Sequence, residues 1–137
     1  MQIAELSAFI VRLKLRKEFK HASFSRSWSD NLMVRCQLSD GTIGWGEGVP
    51  RDYVTGETPQ GALAQLAATP LSAQLHQDCT CWTDVVQLCD DYRPTVLDDD
   101  PRACLANAHR CAVELSILDA FGKLFGTRTE APRSATP

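Results

Sequence analysis

The sequence predicts an α+β domain, in which a three-stranded antiparallel meander precedes a small helical bundle. Apolar and polar residues alternate over much of the first 50 residues, as they do in half-buried strands. The dipeptide Asp40-Gly41 lies between two such stretches and is a strong hairpin signal. From Thr58 onward, apolar residues recur at helical spacing instead. The length of 137 residues suits one domain.

The first predicted strand changes its apolar phase near Ile10. One phase precedes the change and the opposite phase follows it: Leu6, Ala8 and Ile10, then Val11, Leu13 and Leu15. A slip of one residue turns every later side chain to the other face of a sheet. A bulge or bend is therefore expected near Ile10.

The second predicted strand is the most regular of the three. Its apolar residues occupy every second position: Leu32, Val34, Cys36 and Leu38. Asp40-Gly41 follows directly, and a two-residue type I′ turn is expected there. The chain then returns as the third strand, from Thr42 to Glu47.

Glycines alternate with larger residues along the third strand. Ile43 and Trp45 share one face, and Gly44 and Gly46 share the other. These glycines do not match a dinucleotide-binding loop, because the third glycine of that motif is absent and no βαβ unit follows. Glycines on one face of a strand instead allow another element to approach the backbone closely.

Two shorter helices are predicted next. Thr58-Pro59 is a typical helix start, since threonine caps the N-terminus and proline is favoured at the first helical position. A short apolar stripe follows it: Ala62, Leu63, Leu66 and Ala67. A second helix begins near Thr83 and has its own stripe: Val85, Leu88, Cys89 and Tyr92.

The longest predicted helix follows Asp100-Pro101, a second combination of cap and proline. Its apolar face is predicted to contain seven residues: Cys104, Leu105, Ala108, Cys111, Ala112, Leu115 and Leu118. Gly122 or Gly126 would end it. Residues 1–126 are therefore assigned to the domain. Residues 127–137 have no periodicity and are expected to be a disordered tail or a truncated linker.

Composition argues against several classes of protein. The net charge is −3, and the basic run from Arg12 to Lys17 alternates with apolar residues as the outer face of a strand does, so no nucleic-acid partner is expected. No apolar run approaches the roughly 18 residues of a membrane span. The residues after Met1 do not resemble a signal peptide. A soluble cytoplasmic protein is expected.

The six cysteines allow more than one interpretation. Cys79 and Cys81 are separated by one residue, whereas paired zinc ligands are usually two to four residues apart. Reduced thiols, some of them buried, are the favoured interpretation for a cytosolic protein. A zinc site that includes His76 and Cys89, or a disulfide from Cys89 to Cys79 or Cys81, remains an alternative.

Three segments resemble a known family when they are taken in order: Gly44-Trp45-Gly46-Glu47, Tyr53-Val54-Thr55-Gly56-Glu57-Thr58, and residues 112–126. Together with the order of strands and helices, they resemble the N-terminal capping domain of the enolase superfamily, in its muconate cycloisomerase and mandelate racemase branch. The resemblance implies an enolase N-terminal domain-like fold. In that family, catalysis takes place on a (β/α)8 barrel that follows the cap. A barrel needs roughly 200–250 residues, so none is expected within this chain.

The resemblance also implies a role for two loops, which close over the barrel mouth in that family. By position they correspond to residues 19–24, expected between the first two strands, and to residues 49–55. The implied substrate-lid residues are Phe19, His21, Phe24, Val49, Arg51, Tyr53 and Thr55. No catalytic or metal-ligating residue is assigned in this chain. The implied partners are the barrel, a small carboxylate substrate and Mg²⁺, which the parent enzyme would hold.

Three functions remain open from the sequence. The favoured one is a substrate-specificity lid of a muconate cycloisomerase- or mandelate racemase-like enzyme, with no catalysis by this chain alone. The parent would be an Mg²⁺-dependent isomerase, epimerase or lyase. The second is a stand-alone binding module on the same scaffold, which would self-associate as a homo-oligomer to cover exposed apolar surface. The third is a small metal-binding protein built on the cysteines.

Overall fold

The structure is a computed structural model that describes residues 1–21, 24–100 and 102–126, with side chains for all of these except His21 and Phe24. Its elements run in chain order as follows: β1 (Ile3–His21), β2 (Phe24–Leu38), β3 (Ile43–Gly48), α1 (Pro59–Ala68), α2 (Leu71–Gln74), α3 (Trp82–Asp91) and α4 (Asn107–Leu124). The strands form one antiparallel sheet in the order β1-β2-β3. The predicted α+β meander and helical bundle are confirmed. Residues 127–137 lie outside the described residues.

The core lies between one face of the sheet and the helices. Leu32, Val34 and Cys36 of β2 are fully buried on this inner face. Val113 and Ile117 of α4 are buried against the same cluster. The predicted stripe of α3 is also confirmed, because each of its members is buried in the core: Val85, Leu88, Cys89 and Tyr92.

Helix α4 packs directly on the backbone of β3. A Cβ added to Gly44, Gly46 or Gly48 would lie about 2 Å from a carbonyl oxygen of α4, which is far inside van der Waals contact. The carbonyl oxygens concerned belong to Ser116, Ala112 and Ala108, respectively. The predicted role of the β3 glycines in close approach is confirmed, and Gly48 shares it.

The predicted face of the last helix is right only in part: Ala108 and Ala112 are buried as expected, but the other predicted members are not. Asp100 does accept hydrogen bonds from the N–H groups of Cys104 and Leu105, but α4 begins only at Asn107. Leu115 and Cys111 are exposed. The buried face contains these residues: Ala108, His109, Ala112, Val113, Ser116, Ile117, Ala120, Phe121 and Gly122. Small residues are required where α4 touches β3, and a search for large apolar residues misses them. The helix ends before Gly126, which has φ +67°, rather than at Gly122.

The expected bulge near Ile10 is also absent. The β1–β2 register is continuous from Glu5 to Lys14. The apolar pattern changes phase because both faces of the sheet carry apolar residues in this part of β1. On the outer face, the ring of Phe9 contacts the ring of Trp45, and their centroids are 6.0 Å apart. Register shifts occur elsewhere, between Ile3 and Glu5 and between Lys14 and Phe19.

The turn after β2 differs from the predicted two-residue type. Its four residues, 39–42, separate β2 from β3, and only Gly41 has a positive φ, of +91°. Asp40 contributes through its side chain, since its carboxylate accepts the N–H of Thr42 at 2.9 Å. That bond lowers the pKa of Asp40. The position of the hairpin was therefore predicted correctly, but its turn type was not. The hydrogen bond from the Thr42 N–H to the Asp40 carboxylate supports a four-residue turn in place of type I′ geometry.

Side chains of α4 cover the outer edge of β3. Asp119 accepts the backbone N–H of Trp45 at 2.9 Å, and the Lys123 ammonium donates to the carbonyl of Ile43 at 2.9 Å. Unpaired N–H and C=O groups on an edge strand invite pairing with another chain. These two bonds occupy groups that a further strand would need.

None of the helices among residues 1–21, 24–100 and 102–126 is long and apolar enough to cross a membrane.

Candidate functional site

The first expected loop is largely a strand. β1 extends to His21 and β2 begins at Phe24, and the backbones of these two residues pair. Phe19 lies within β1, opposite Arg26, and is 52% exposed. The expectation of a loop from residue 19 to 24 was therefore wrong, because the antiparallel ladder resumes after the register shift at residues 15–18. The side chains of His21 and Phe24 lie outside the described residues.

The two strands form a projecting arm. Residues 11–21 of β1 and 24–31 of β2 pair only with each other in the described sheet, since β3 reaches no further than Leu32. We call this segment the hairpin arm. Arg12 and Asp30 join its strands by two hydrogen bonds of 2.7 and 2.8 Å. The arm exposes Trp28, and the Lys14 ammonium lies 6.0 Å from its ring centroid.

The second expected loop, residues 49–55, is part of a loop that spans residues 49–58 in the structure. The carbonyl of Arg51 accepts hydrogen bonds from the N–H groups of Val54 and Thr55, at 3.1 and 2.9 Å, so that the loop closes into a compact turn. Gly56 leaves this turn with φ +85°. Val49 and Tyr53 are exposed, Tyr53 by 48%. The loop therefore has an ordered backbone and presents apolar side chains to solvent.

Glu57 fixes the end of this loop to α4. Its side chain is only 6% exposed. One carboxylate oxygen accepts the N–H of Ala108 at 2.9 Å, and the other accepts the hydroxyl of Thr55 at 2.9 Å. A carboxylate is favoured at a helix N-terminus, where unpaired N–H groups point outward. Arg102 adds a hydrogen bond to the carbonyl of Thr55 at 3.1 Å.

A polar network holds the beginning of the loop against the sheet. Arg51 donates to the hydroxyl of Ser29 at 3.1 Å, and Ser29 donates to the side-chain oxygen of Asn31. The side-chain amide of Asn31 donates to Glu47 on β3. Burial, and then the nearby charge of Arg26, lower the pKa of Arg51. The sequence offered no signal for Ser29 and Asn31, because polar residues at alternate strand positions usually face solvent.

A cleft of about 340 Å³ separates the hairpin arm from the 49–58 loop. Arg26 and Trp28 line it from the arm, and Arg51 and Tyr53 line it from the loop. The Arg26 guanidinium lies 6.0 Å from the ring centroid of Tyr53, within the range of a cation–π interaction. A cleft of this size can hold a small ligand. The structure thus brings together two of the expected residues, Arg51 and Tyr53, and adds Arg26 and Trp28.

The described side chains with the largest pKa shifts lie in the core. No set of three or more His, Cys, Asp or Glu side chains among residues 1–21, 24–100 and 102–126 is arranged to hold a metal ion. All six cysteines are free, and burial raises the pKa of Cys36 and of Cys89 to about 12, so neither thiol is a ready nucleophile. His109 is fully buried, and burial lowers its pKa to about 4.

Known proteins are similar to this chain in sequence and in fold. An aromatic dipeptide epimerase of Herpetosiphon aurantiacus is 32% identical over 119 residues, which are 87% of this chain and 30% of that enzyme. A solved mandelate racemase/muconate lactonizing protein from the same organism has a TM-score of 0.66 at 31% identity, over 90% of this chain and 32% of that one. No protein-family model matches the chain.

A third similar protein was solved with ligands. The dipeptide epimerase of Methylococcus capsulatus, complexed with Mg and the dipeptide L-Arg-D-Lys, has a TM-score of 0.72 at 26% identity. The match covers 92% of this chain and 33% of that one. This chain thus spans about a third of the length of the proteins it matches.

Proposed function

The chain belongs to the mandelate racemase/muconate lactonizing branch of the enolase superfamily, of which it has the N-terminal capping domain, and we propose that it acts as the substrate-specificity lid of a dipeptide epimerase-like enzyme. The lid consists of the hairpin arm, the 49–58 loop and the cleft between them. The substrate would be a small carboxylate, in the first place a dipeptide. The lid covers the substrate, while the reacting groups come from a (β/α)8 barrel.

One observation carries this proposal: the 49–58 loop is fixed at both ends while its tip stays exposed. Arg51 ties one end to the sheet through Ser29, and Glu57 ties the other end to α4. Tyr53 at the tip is 48% exposed. An exposed aromatic side chain on an anchored loop has contact surface to offer and little conformational freedom to lose on binding.

The lid would contribute exclusion of water and selection of the substrate. Excluding water strengthens electrostatic interactions within a closed site, which favours abstraction of a proton next to a carboxylate. In enzymes of this type, Mg²⁺ stabilises the negative charge that develops on that carboxylate. The described residues of this chain do not fit such an ion. Its ligands and the catalytic base are therefore assigned to the barrel.

A domain exchange tests the proposal. Residues 1–126 would replace the capping domain of the Methylococcus capsulatus dipeptide epimerase, and kcat/KM would be measured over a panel of dipeptides. If this chain is a lid, the chimera retains epimerase activity but changes its order of preferred dipeptides. A folded chimera with the preferences of the parent enzyme would contradict the proposal. A lone barrel serves as the control for activity without any cap.

The outer face of the sheet supports a second candidate function, self-association. Phe9 and Trp45 are exposed there and contact each other edge to face, and Leu13 is exposed on the same face. Clustered apolar surface favours a partner. Sedimentation over a range of concentrations should then show a homo-oligomer that Trp45→Lys dissociates. A monomer at every concentration would reject this function.

A further inference from the structure

The two edges of the sheet differ in how far they are covered. Side chains of α4 bond to three backbone groups of β3: the Ile43 carbonyl accepts from Lys123, the Trp45 N–H donates to Asp119, and the Glu47 carbonyl accepts from the Cys111 thiol. β1 forms the other edge and pairs with β2 on one side only. A strand paired on one side leaves alternate N–H and C=O groups facing outward, where a further strand can bond to them.

Residues 6–11 of β1 have the sequence of an unprotected edge strand, and we call them the edge segment. Their sequence, Leu-Ser-Ala-Phe-Ile-Val, contains no charged residue and no proline, and their register with β2 is continuous. Natural proteins usually protect an edge strand with charges, prolines or bulges. A six-residue uncharged stretch that includes Phe, Ile and Val is instead typical of segments that pair with another strand.

The apolar residues of β1 are incompletely covered. None of the described side chains of this strand is buried. Three residues of the edge segment lie on the inner face of the sheet and are only half-buried: Leu6, Ala8 and Ile10. The β2 residues with which they pair are fully buried. The inner face therefore loses its cover towards the β1 edge, where a further strand would extend it.

Open space borders this edge. A cavity of about 310 Å³ is lined by residues 3–6 of β1 and by α2, and a second of about 260 Å³ is lined by residues 6–8 and by α1. Consecutive residues of a strand point to opposite faces, so a cavity that touches several in a row lies along the edge. Leu6 and Leu71 line both cavities, which are therefore adjacent. Together they can receive successive inward side chains of an added strand, which are about 7 Å apart.

We propose that the edge segment is the docking surface for a second copy of this chain, which adds its own edge segment as an antiparallel strand. A second copy fits because α4 occupies backbone groups of β3, so that β1 is the edge that each copy can offer to the other. Pairing of β1 with β1 is two-fold symmetric and joins two sheets into one of six strands. Opposite residues of an antiparallel pair share a face, so the half-buried inner residues of both copies meet. This pairing requires neither the lid function nor the outer face of the sheet.

Hydrogen exchange at several protein concentrations tests the pairing in the 137-residue protein. Sedimentation should show a monomer that becomes a dimer as the concentration rises, and alternate amides of residues 6–11 should then exchange at least about tenfold more slowly. The amides of the edge segment that already bond to β2 are the internal control, because they should be protected at every concentration. A monomer at every concentration, or a dimer whose edge amides exchange as fast as those of the monomer, would overturn the proposal.

Variants make the test specific to the edge. Ala8→Lys places a charge on the inner side of the edge segment, a device that natural edge strands use against pairing, and should raise the Kd of the dimer at least about tenfold. Val86→Lys places the same charge at an exposed position of α3 and should leave the Kd unchanged. If Ala8→Lys does not fold, Ser7→Lys, on the opposite face of the same segment, should have the same effect. A dimer that Trp45→Lys dissociates and the edge variant does not would assign association to the outer face and overturn the proposal.

The domain-exchange chimera tests for a different occupant. Edge amides that are protected in a monomeric chimera, but never in the chain by itself, would assign the edge to the part of the enzyme that carries the barrel, and would overturn pairing between copies. The lid function is decided separately, by the order of preferred dipeptides. A chimera with changed preferences keeps the lid even if the edge segments do not pair.

Discussion

Gly46 of β3 and Ala112 of α4 lie so close together that a Cβ atom on Gly46 would be 1.9 Å from the carbonyl oxygen of Ala112. The neighbouring atom belongs to a helix backbone, which cannot turn aside as a side chain can. The contact therefore sets the distance between the sheet and the longest helix. Glu57, which anchors the 49–58 loop, accepts a hydrogen bond from Ala108 in the first turn of the same helix.

Gly46→Ala should destabilise the fold strongly. Forcing a methyl group into this contact should reduce the free energy of unfolding by about 3 kcal/mol or more, because β3 and α4 must separate. Urea denaturation measures the change. Gly61→Ala is the matched control: its nearest neighbour is the Thr58 hydroxyl at 3.0 Å, and alanine favours the helix, so it should change stability by less than about 1 kcal/mol. Equal effects of the two variants would show that the contact at Gly46 is not tight.

Glu57→Ala should loosen the 49–58 loop from α4. The N–H of Ala108 loses its acceptor, so unfolding free energy should fall by about 1–3 kcal/mol, and exchange of the Ala108 amide hydrogen should accelerate. Glu5→Ala, at an exposed position, should remain within about 0.5 kcal/mol of the wild type. An unchanged exchange rate at Ala108 would mean that Glu57 does not anchor the loop.

Stability should decrease with acid because of His109. Its pKa is about 4 in the folded protein, against a usual value of 6.5. Between these values the unfolded chain binds a proton that the folded chain does not, so stability is fully present above pH 6.5 and declines as the pH falls towards 4. The loss attributable to His109 is roughly 3 kcal/mol.

His109→Leu isolates this contribution. Urea denaturation at several pH values from 4 to 7 should show a difference between the two proteins that grows as the pH falls. Protonation of carboxylates whose pKa is lowered, such as Asp30 and Asp84, also makes the folded protein less stable in acid. This effect is the same in the wild type and in His109→Leu, so it cancels in the difference between them. A constant difference across this range would contradict burial of a neutral imidazole.

The purified chain with Mg²⁺ should not exchange the α-proton of a dipeptide in deuterated water. The described residues offer no set of three metal ligands, and His109 is too deeply buried to reach a substrate. Proton NMR of L-Ala-L-Glu before and after incubation measures the exchange, with an intact dipeptide epimerase as the positive control. Exchange above background that a substitution in this chain abolishes would show that it is catalytic.

Local patterns predicted much of this fold. The alternation of apolar and polar residues in β2 predicted the sheet, and the glycines of β3 predicted the close approach of another element. Thr58-Pro59 gave the start of α1, where the Thr58 hydroxyl accepts the N–H of Gly61 at 3.0 Å. These features depend on residues within a few positions of one another. They can therefore be predicted without knowledge of the tertiary structure.

The rest depends on contacts between distant parts of the chain. Glu57 meets Ala108 across 51 positions, and Arg51 meets Ser29 across 22. The buried face of α4 is set by the glycines of β3, so Leu115 is exposed while Ser116 is buried. Arg26, to which the sequence pattern assigned no role, lies in a strand that borders the cleft. The periodicity of the sequence does not indicate which polar residues take part in such long-range contacts.

The most direct test of the lid is the Tyr53→Phe substitution in the chimera with the Methylococcus capsulatus barrel. Because Tyr53 is half exposed at the tip of the anchored loop, the lid account predicts that relative kcat/KM across several dipeptides changes several-fold while Tm stays within a few degrees. Phe9→Leu, on the outer face of the sheet, should leave those ratios unchanged. Unaltered substrate ratios together with a large drop in Tm would show that Tyr53 is structural, and would contradict the lid function.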